Sequence, residues 1–486
     1  MKNTSLVSAA VAAALCSTSA FATNGMILEG YGARATAMGG ASMAYDSGNS
    51  GALNNPATLS LMDANVRAGV GIRYLGPDIT SSFGPASTDS EGTAYWMPSA
   101  SYMRKAGDWT YGVAMLAQGG MGTEYGQAGP TDLFAGNMSL FNSPVPLSGQ
   151  EIRSEVGVGT IMFPLSKQVN DRLTIGGSID FVWAMMDLQM DMSGAQFGQL
   201  MQGNGGRIDN DMGMGVMLDT AGGTLAPDGI PSIDMNWARF DFTDDNDMTG
   251  EAKTTGWMGQ LGFTYALSDR LRIGGSYRSK THLDDMDTND ATLSMLIPAM
   301  GATPMALTGT LNVVDFQWPD SIGLGLSFQA TDRVMVVADY KRIGWKDVMQ
   351  SFRMTFTPDA GQMGGMFDNT MLDVTMDQNW EDQNVFSLGF EYQASDKLAL
   401  RAGVNLADNP VPNSMVNPLF PATIEDHITG GFGYKLTKND NLGFSFTYAP
   451  EVETVGTGPL NSMPGMGGVV TTHSQFNWTL NYSRTW

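Results

Sequence analysis

Ser474-Gln475-Phe476-Asn477-Trp478-Thr479-Leu480-Asn481-Tyr482-Ser483-Arg484-Thr485-Trp486 closes the chain with an almost unbroken alternation. Phe476, Trp478, Leu480, Tyr482 and Trp486 share one parity and Asn477, Thr479, Asn481, Ser483 and Thr485 the other, with Arg484 the one misfit. A period of two puts the two sets on opposite faces of a β-strand. The same pattern recurs at Phe386, Leu388, Phe390 and Tyr392 and at Leu442, Phe444, Phe446 and Tyr448. Strands with one oily and one polar face suit a closed barrel in lipid, where closure satisfies every backbone N–H and C=O without water. A soluble sandwich with an oily interior would alternate in the same way, but it calls for no export signal, aromatic C-terminus or long loops on one side only.

Working outward, the composition narrows the class. The 486 residues carry 26 Lys+Arg against 49 Asp+Glu, a net charge of -23. That balance excludes nucleic acid as a partner, because phosphate affinity comes from Lys and Arg displacing counterions. With 42% hydrophobic residues the chain has ample apolar surface to bury, which excludes disorder. Length alone would fit two or three soluble domains, although single barrels run longer than the average domain. The mean hydropathy of -0.11 speaks against a helical membrane protein but not against a barrel, whose strands average to neutral. Lys2, the apolar run Leu6 to Leu15 and the Ala20-Phe21-Ala22 site make residues 1–22 a secretory signal peptide. The rival reading is a lipoprotein signal ending at Cys16, which Leu15 makes a poor site. Cys16 is the one cysteine, so the exported part has no disulfides to lean on.

A recurring turn gives a strand count. Asn170-Asp171-Arg172-Leu173, Ser268-Asp269-Arg270-Leu271, Thr331-Asp332-Arg333-Val334 and Ser395-Asp396-Lys397-Leu398 each precede an alternating run, with looser copies at Gly107-Asp108-Trp109 and Asn439-Asp440-Asn441-Leu442. The spacing from Asp108 through Asp171, Asp269, Asp332 and Asp396 to Asp440 leaves room each time for a strand out, a long loop and a strand back. Six short turns, with both ends on the same side, predict an all-β, 14-stranded antiparallel transmembrane barrel over 61–486.

Residues 23–60 do not fit that wall. They are rich in Gly, Ala and Asn, precede the first clear alternation (Val66, Ala68, Val70, Ile72, Tyr74) and contain Asn54-Asn55-Pro56-Ala57, which reads as a fixed turn. They are expected to form a short, partly helical plug in the lumen. The longest external loop, roughly 192–250, holds Phe197, Leu200 and Met201 at helical spacing; another holds Leu293, Leu296, Ile297 and Met300 behind Asp290 as an N-cap. Apolar helices there would gather greasy molecules. Met190, Met192, Met201, Met212, Met214, Met217, Met235 and Met248 lie in or beside the longest loop, and their flexible thioethers adapt to varied ligand shapes.

At this point the sequence resembles a known family. Gly39-Gly40-Ala41 followed by Asn55-Pro56-Ala57 is similar to the N-terminal hatch of the long-chain fatty acid outer-membrane transporters, the FadL family, which also includes toluene and xylene channels. Leu311-Asn312 through Trp318-Pro319-Asp320-Ser321 and Gly323 resembles that family's proline-interrupted strand, and Asp408-Asn409-Pro410-Val411-Pro412 its Asp-x-Pro-Val-Pro loop. The resemblance implies a hatch-plugged barrel in the Gram-negative outer membrane, taking up hydrophobic compounds such as fatty acids or hydrocarbons by diffusion and releasing them sideways. It also implies a kink in the third strand, Trp109 to about Gly119, with Gly119 and Gly120 giving the backbone freedom. A monomer in contact with lipopolysaccharide is expected, inserted by the barrel assembly machinery through the C-terminal strand. The competing readings are an open porin for hydrophilic solutes, which would have no plug, and a structural or adhesive surface barrel.

Other chemistry is thin. His282, His427 and His473 sit on different hairpins without zinc spacing, no G-x-S-x-G elbow occurs, and no enzyme activity, metal or cofactor is expected. The acidic run Asp241, Asp244, Asp245, Asp247 and Glu251 has Gly256 where a calcium loop needs its twelfth-position Glu, and reads as a solvated loop. In the strand opening at Leu271, Leu271, Ile273 and Tyr277 share the lipid side, which would turn Arg278, Lys280 and His282 toward the lumen as candidates to bind a carboxylate. Pairing with lumenal acids such as Glu155, Asp180 or Asp339 is the alternative for these cations.

Overall fold

The computed structural model describes residues 24–127, 147–209, 214, 224–225, 231–232, 235–246, 249–298, 301–463 and 467–486. Residues 1–22, read above as a signal peptide, and Asp247, Met212, Met217, Met248 and Met300 lie outside them.

Alternation becomes strand wherever one parity faces out. On Val470–Thr485, Phe476 is half exposed while Asn477 and Thr479 are buried. The long strands are β1 (Val66–Phe83), β2 (Tyr95–Ala106), β3 (Trp109–Tyr125), β4 (Ile152–Gln168), β5 (Leu173–Ser193), β6 (Ala252–Ala266), β7 (Leu271–Arg278), β8 (Met286–Leu296), β9 (Met305–Val314), β10 (Ser321–Thr331), β11 (Val334–Ile343), β12 (Gln383–Gln393), β13 (Leu398–Ala407), β14 (His427–Lys435), β15 (Asp440–Val455) and β16 (Val470–Thr485). All pairings are antiparallel, and β1 joins β16 from Arg67↔Thr485 to Ser82↔Val470, which closes the barrel. Ile179 at 73% and Leu261 at 68% exposure show an apolar outer face that only lipid can cover.

The count of 14 strands is corrected to 16. The difference is the hairpin β8–β9, whose register runs from Met286↔Val313 to Met295↔Met305. β7 pairs directly with both β6 and β10, so this hairpin rises over their seam as an outward continuation of the sheet. A short strand, Trp237–Phe242, stitches it to β5. β9 continues through Ser351–Pro358 and Leu372–Asp377 to Gly206–Asp209, forming a collar above the membrane.

The same hairpin overturns the second helix expectation. Leu293 and Leu296 lie on β8, with Leu293 opposite Leu307 and Phe240, and Ile297 follows the strand. The i, i+3, i+4 spacing misled because the pairing slips between Thr288 and Ala291, which hides a two-residue period on the inward residues Ala291, Leu293 and Met295. Phe197, Leu200 and Met201 do lie on a helix, Gly194–Met201, started by Ser193 in a reciprocal cap with Gln196.

Residues from Asn24 to Met62 lie inside the barrel as a chain of short pieces: α1 (Ala33–Thr36), α2 (Gly51–Asn54) and a 3-10 turn, Pro56–Leu61. Their small residues let backbone meet backbone. A Cβ on Gly40 would stand 1.9 Å from Glu29 O, and one on Gly39 2.1 Å from Val404 O in the wall.

Candidate functional site

Polar ties hold this inner segment, the hatch, in place. Asn55 Nδ2 donates to Met43 O at 2.7 Å and to Phe263 O on β6 at 3.0 Å, while its Oδ1 accepts from Ala57 N at 3.1 Å. Pro56 opens the 3-10 turn, where its missing N–H costs nothing. The Asn55-Pro56-Ala57 motif is thus one clip between hatch and wall. Lumenal charges complete the fastening. Arg73 on β1 pairs with Glu29, and Thr447 Oγ1 on β15 donates to the same carboxylate at 2.7 Å. Arg67 grips Asp46 through two bonds of 2.7 and 2.9 Å, and Glu391 on β12 holds Arg34 and Arg401. Asp339 on β11 accepts from Ser42 N and Met43 N at 2.6 and 3.0 Å. Burial alone would push Glu29 toward its neutral form, but the Arg73 charge and its hydrogen bonds outweigh that and hold the pKa down at about 2.

The wall is incomplete beside this hatch. β2 and β3 pair only from Ala106↔Trp109 up to Ala100↔Met115. Beyond that rung Tyr95 to Ser99 pair with β1, and the upper part of β3 pairs with β4. The chain just ahead of β2 reaches β3 again at the outer end, where Glu91 N donates to Glu124 O at 2.7 Å. Two local features make the gap. Pro98 has no N–H to offer a ladder, and the β3–β4 register slips between Ala117 and Gly119, leaving Gln118 as an extra residue that turns the strand. The hatch end takes the free edge: Ile27 bridges Gly119, and Gly120 N donates to Met26 O at 3.0 Å. A Cβ on Gly119 would lie 2.0 Å from Met26 O, so glycine is required for this approach.

A cavity of about 230 Å³ passes through the gap. Met26, Leu28, His473 and Gln475 line it on the lumen side, and Trp96, Met115 and Trp183 on the other, where Trp96 is 45% exposed toward lipid. At the outer end, a cavity of about 60 Å³ lies among Met190, Met192, Gln196, Met376, Met415 and Leu460, beside the Gly194–Met201 helix, in which Phe197 and Leu200 are buried. Buried apolar residues including Met190, Leu188, Phe240 and Leu419 continue inward from it. The Asp408-to-Asp426 loop dips into the mouth, where Thr123 Oγ1 and Tyr125 OH on β3 each donate, at 3.1 Å, to Leu419 O and Pro418 O.

The predicted cation cluster does not assemble. Arg278 is buried in the lumen, within electrostatic reach of Tyr31 and Asp180. Lys280 and His282 are exposed, and His282 stacks on the outward Trp257 at 4.4 Å. The cause is a one-residue slip: Arg278 stands opposite Gln260 and His282 opposite Trp257, four steps against three, which exchanges the faces. Of the proposed acid partners, Asp339 is committed to the hatch backbone and Glu155 to Arg153. Sequence reasoning missed Glu29, Arg73, Asp46, Arg67, Glu391 and Arg401, which pair between hatch and wall or across neighbouring strands, contacts that no local sequence pattern displays. Among the described residues no group of His, Cys, Asp or Glu could hold a metal.

A closed barrel with a lipid-facing apolar skin, a lumen filled by its own N-terminal segment and an opening in its side is an outer-membrane channel. Residues 9–457 match the family described as outer membrane protein transport protein (OMPP1/FadL/TodX). The chain belongs to that family, which is one of transport channels rather than enzymes and resides in the outer membrane of Gram-negative bacteria. It is similar to the toluene transporter TodX of Pseudomonas putida, with a TM-score of 0.78, 28% identity and coverage of 94% of this chain and 99% of that one. The toluene transporter TbuX of Ralstonia pickettii gives 0.72 and 27%, with coverage of 94% and 99%. A FadL homologue of Pseudomonas aeruginosa shares the fold at 0.66 and 15%, over 95% and 99% of the two chains. Among curated proteins, a Chlorobium limicola protein from the region 5′ of the phosphoenolpyruvate carboxykinase gene is 42% identical over 24% of this chain. Outer membrane protein P1 of Haemophilus influenzae is 25% identical over 41% of it. These alignments span 59% and 40% of the relatives' own length.

Proposed function

We propose that the protein admits small hydrophobic molecules from outside the cell and releases them into the membrane through the gap between β2 and β3. Cargo collects among the methionines beside Phe197 and Leu200, moves along the apolar upper lumen and leaves past Gly119 and Gly120. The hatch keeps water and polar solutes from following. The observation that carries this reading is the apolar cavity crossing the wall, lined by hatch, lumen and lipid-facing residues at once. Its size favours the cargo class. An apolar cavity of roughly 150 Å³ is enough to hold benzene, so 230 Å³ suits a single-ring hydrocarbon better than a whole long-chain fatty acid. The two similar toluene transporters point the same way.

Proteoliposomes carrying the protein should take up p-xylene faster than empty vesicles and show no swelling in sugar solutions. Rapid swelling without faster xylene uptake would instead mark an open porin.

A further inference from the structure

The side cavity is apolar except at a few places, and one of them is a histidine with an unused nitrogen. His473 on β16 is 4% exposed and lines the cavity. Its Nδ1 lies 3.1 Å from Pro421 O, on the loop that dips into the barrel mouth. A carbonyl oxygen only accepts, so in the neutral ring Nδ1 carries the proton. The opposite ring nitrogen, Nε2, then keeps a bare lone pair, and it is buried from water with no hydrogen-bond partner among the described residues. Buried polar atoms are almost always satisfied, and one left open beside a cavity calls for a donor from the occupant. Ile79 and Val452, the cross-strand neighbours of His473, bring no donor.

We propose that His473 Nε2 accepts a hydrogen bond from a hydroxyl on the cargo, so that the side cavity selects single-ring compounds bearing one O–H, of the phenol class, over the plain hydrocarbon of the same shape. This rests on the reading of the cavity as a station on the transport path. The loop fixes the ring through Pro421, and the apolar rim of Leu75, Ile79, Met97 and Leu116 holds the rest of the molecule. An O–H entering this pocket without the acceptor would lose its hydrogen bond to water and gain none.

The test pairs p-cresol with p-xylene, which differ by hydroxyl for methyl, in proteoliposome uptake by the wild type, His473→Phe and His473→Gln. Phenylalanine keeps a ring and removes the acceptor, whereas glutamine restores an acceptor. The cresol-to-xylene rate ratio, which a uniform change in rate leaves unmoved, should fall about tenfold in His473→Phe, the worth of one hydrogen bond, and recover in part in His473→Gln. Heat-modifiable migration on gels shows that the variants fold. An unchanged ratio in His473→Phe, with xylene still transported, would overturn the hydroxyl selection and leave the channel reading standing. Failure of the wild type to transport either compound would overturn both.

Discussion

Glu29 and Arg73 show how a single residue pair can decide whether the lumen is plugged. With side-chain exposures of 0% and 5%, neither charge has solvent to fall back on. Removing one partner of such a pair costs about 3–5 kcal/mol, because the survivor stays buried and uncompensated. Glu29→Gln should therefore loosen the hatch, read as faster chymotrypsin cleavage near Tyr31; an unchanged cleavage rate would count against the pair as a fastener. The pH dependence follows with a definite sign. The folded pKa of about 2 lies below the ordinary value of 4.5, so the pair's contribution is present above pH 4.5 and drains away as pH falls toward 2. Channel openings in planar bilayers should become frequent across that window in the wild type, and Glu29→Gln should show more openings at neutral pH and a smaller acid response, the remainder coming from the Asp46–Arg67 and Glu391–Arg34 pairs. None of this was legible in the sequence, where Glu29 and Arg73 stand 44 positions apart with no local pattern. Asn55-Pro56-Ala57 was legible as a turn, because Pro fixes φ and Asn caps locally. That Asn55 also reaches Phe263 was not.

At the scale of elements, alternation identified the strands and bulges defeated it. A bulge is a mismatch between two strands, so one strand's sequence does not display it. That is why Lys280 and His282 were assigned to the lumen and why β8 was read as a helix. The bulge at Gln118 has the largest consequence, since it turns β3 away from β2 and frees the edge that Met26 and Ile27 occupy. Deleting Gln118 should restore a regular ladder and close the opening. p-Xylene uptake should then fall at least tenfold, while the barrel keeps the heat-modifiable migration of a folded outer-membrane protein. Undiminished uptake would show that the bulge does not make the exit. Gly119 and Gly120 were reachable in advance only through the family resemblance, whereas Pro98, a proline inside a strand, was visible in the sequence and alternation alone gave it no meaning.

For the whole molecule, the barrel is legible because lipid imposes one rule on every strand, with apolar residues out and polar residues in. The strand count failed because the collar above the membrane obeys no such rule. Inside, the hatch covers charges on β1, β11 and β12 that would otherwise line a water-filled pore. Deleting residues 23–60 should leave a folded barrel whose single-channel conductance is several-fold higher, and unchanged conductance would mean that the hatch does not block the lumen. Sideways exit of the cargo can be tested with Met97→Cys. Met97 lines the cavity on β2, and Cys16, in the segment read as a signal peptide, is the one natural cysteine. Attaching a bulky maleimide to Cys at this position should stop p-xylene uptake into proteoliposomes, with the unmodified variant still active; full uptake after complete labelling would contradict the lateral route.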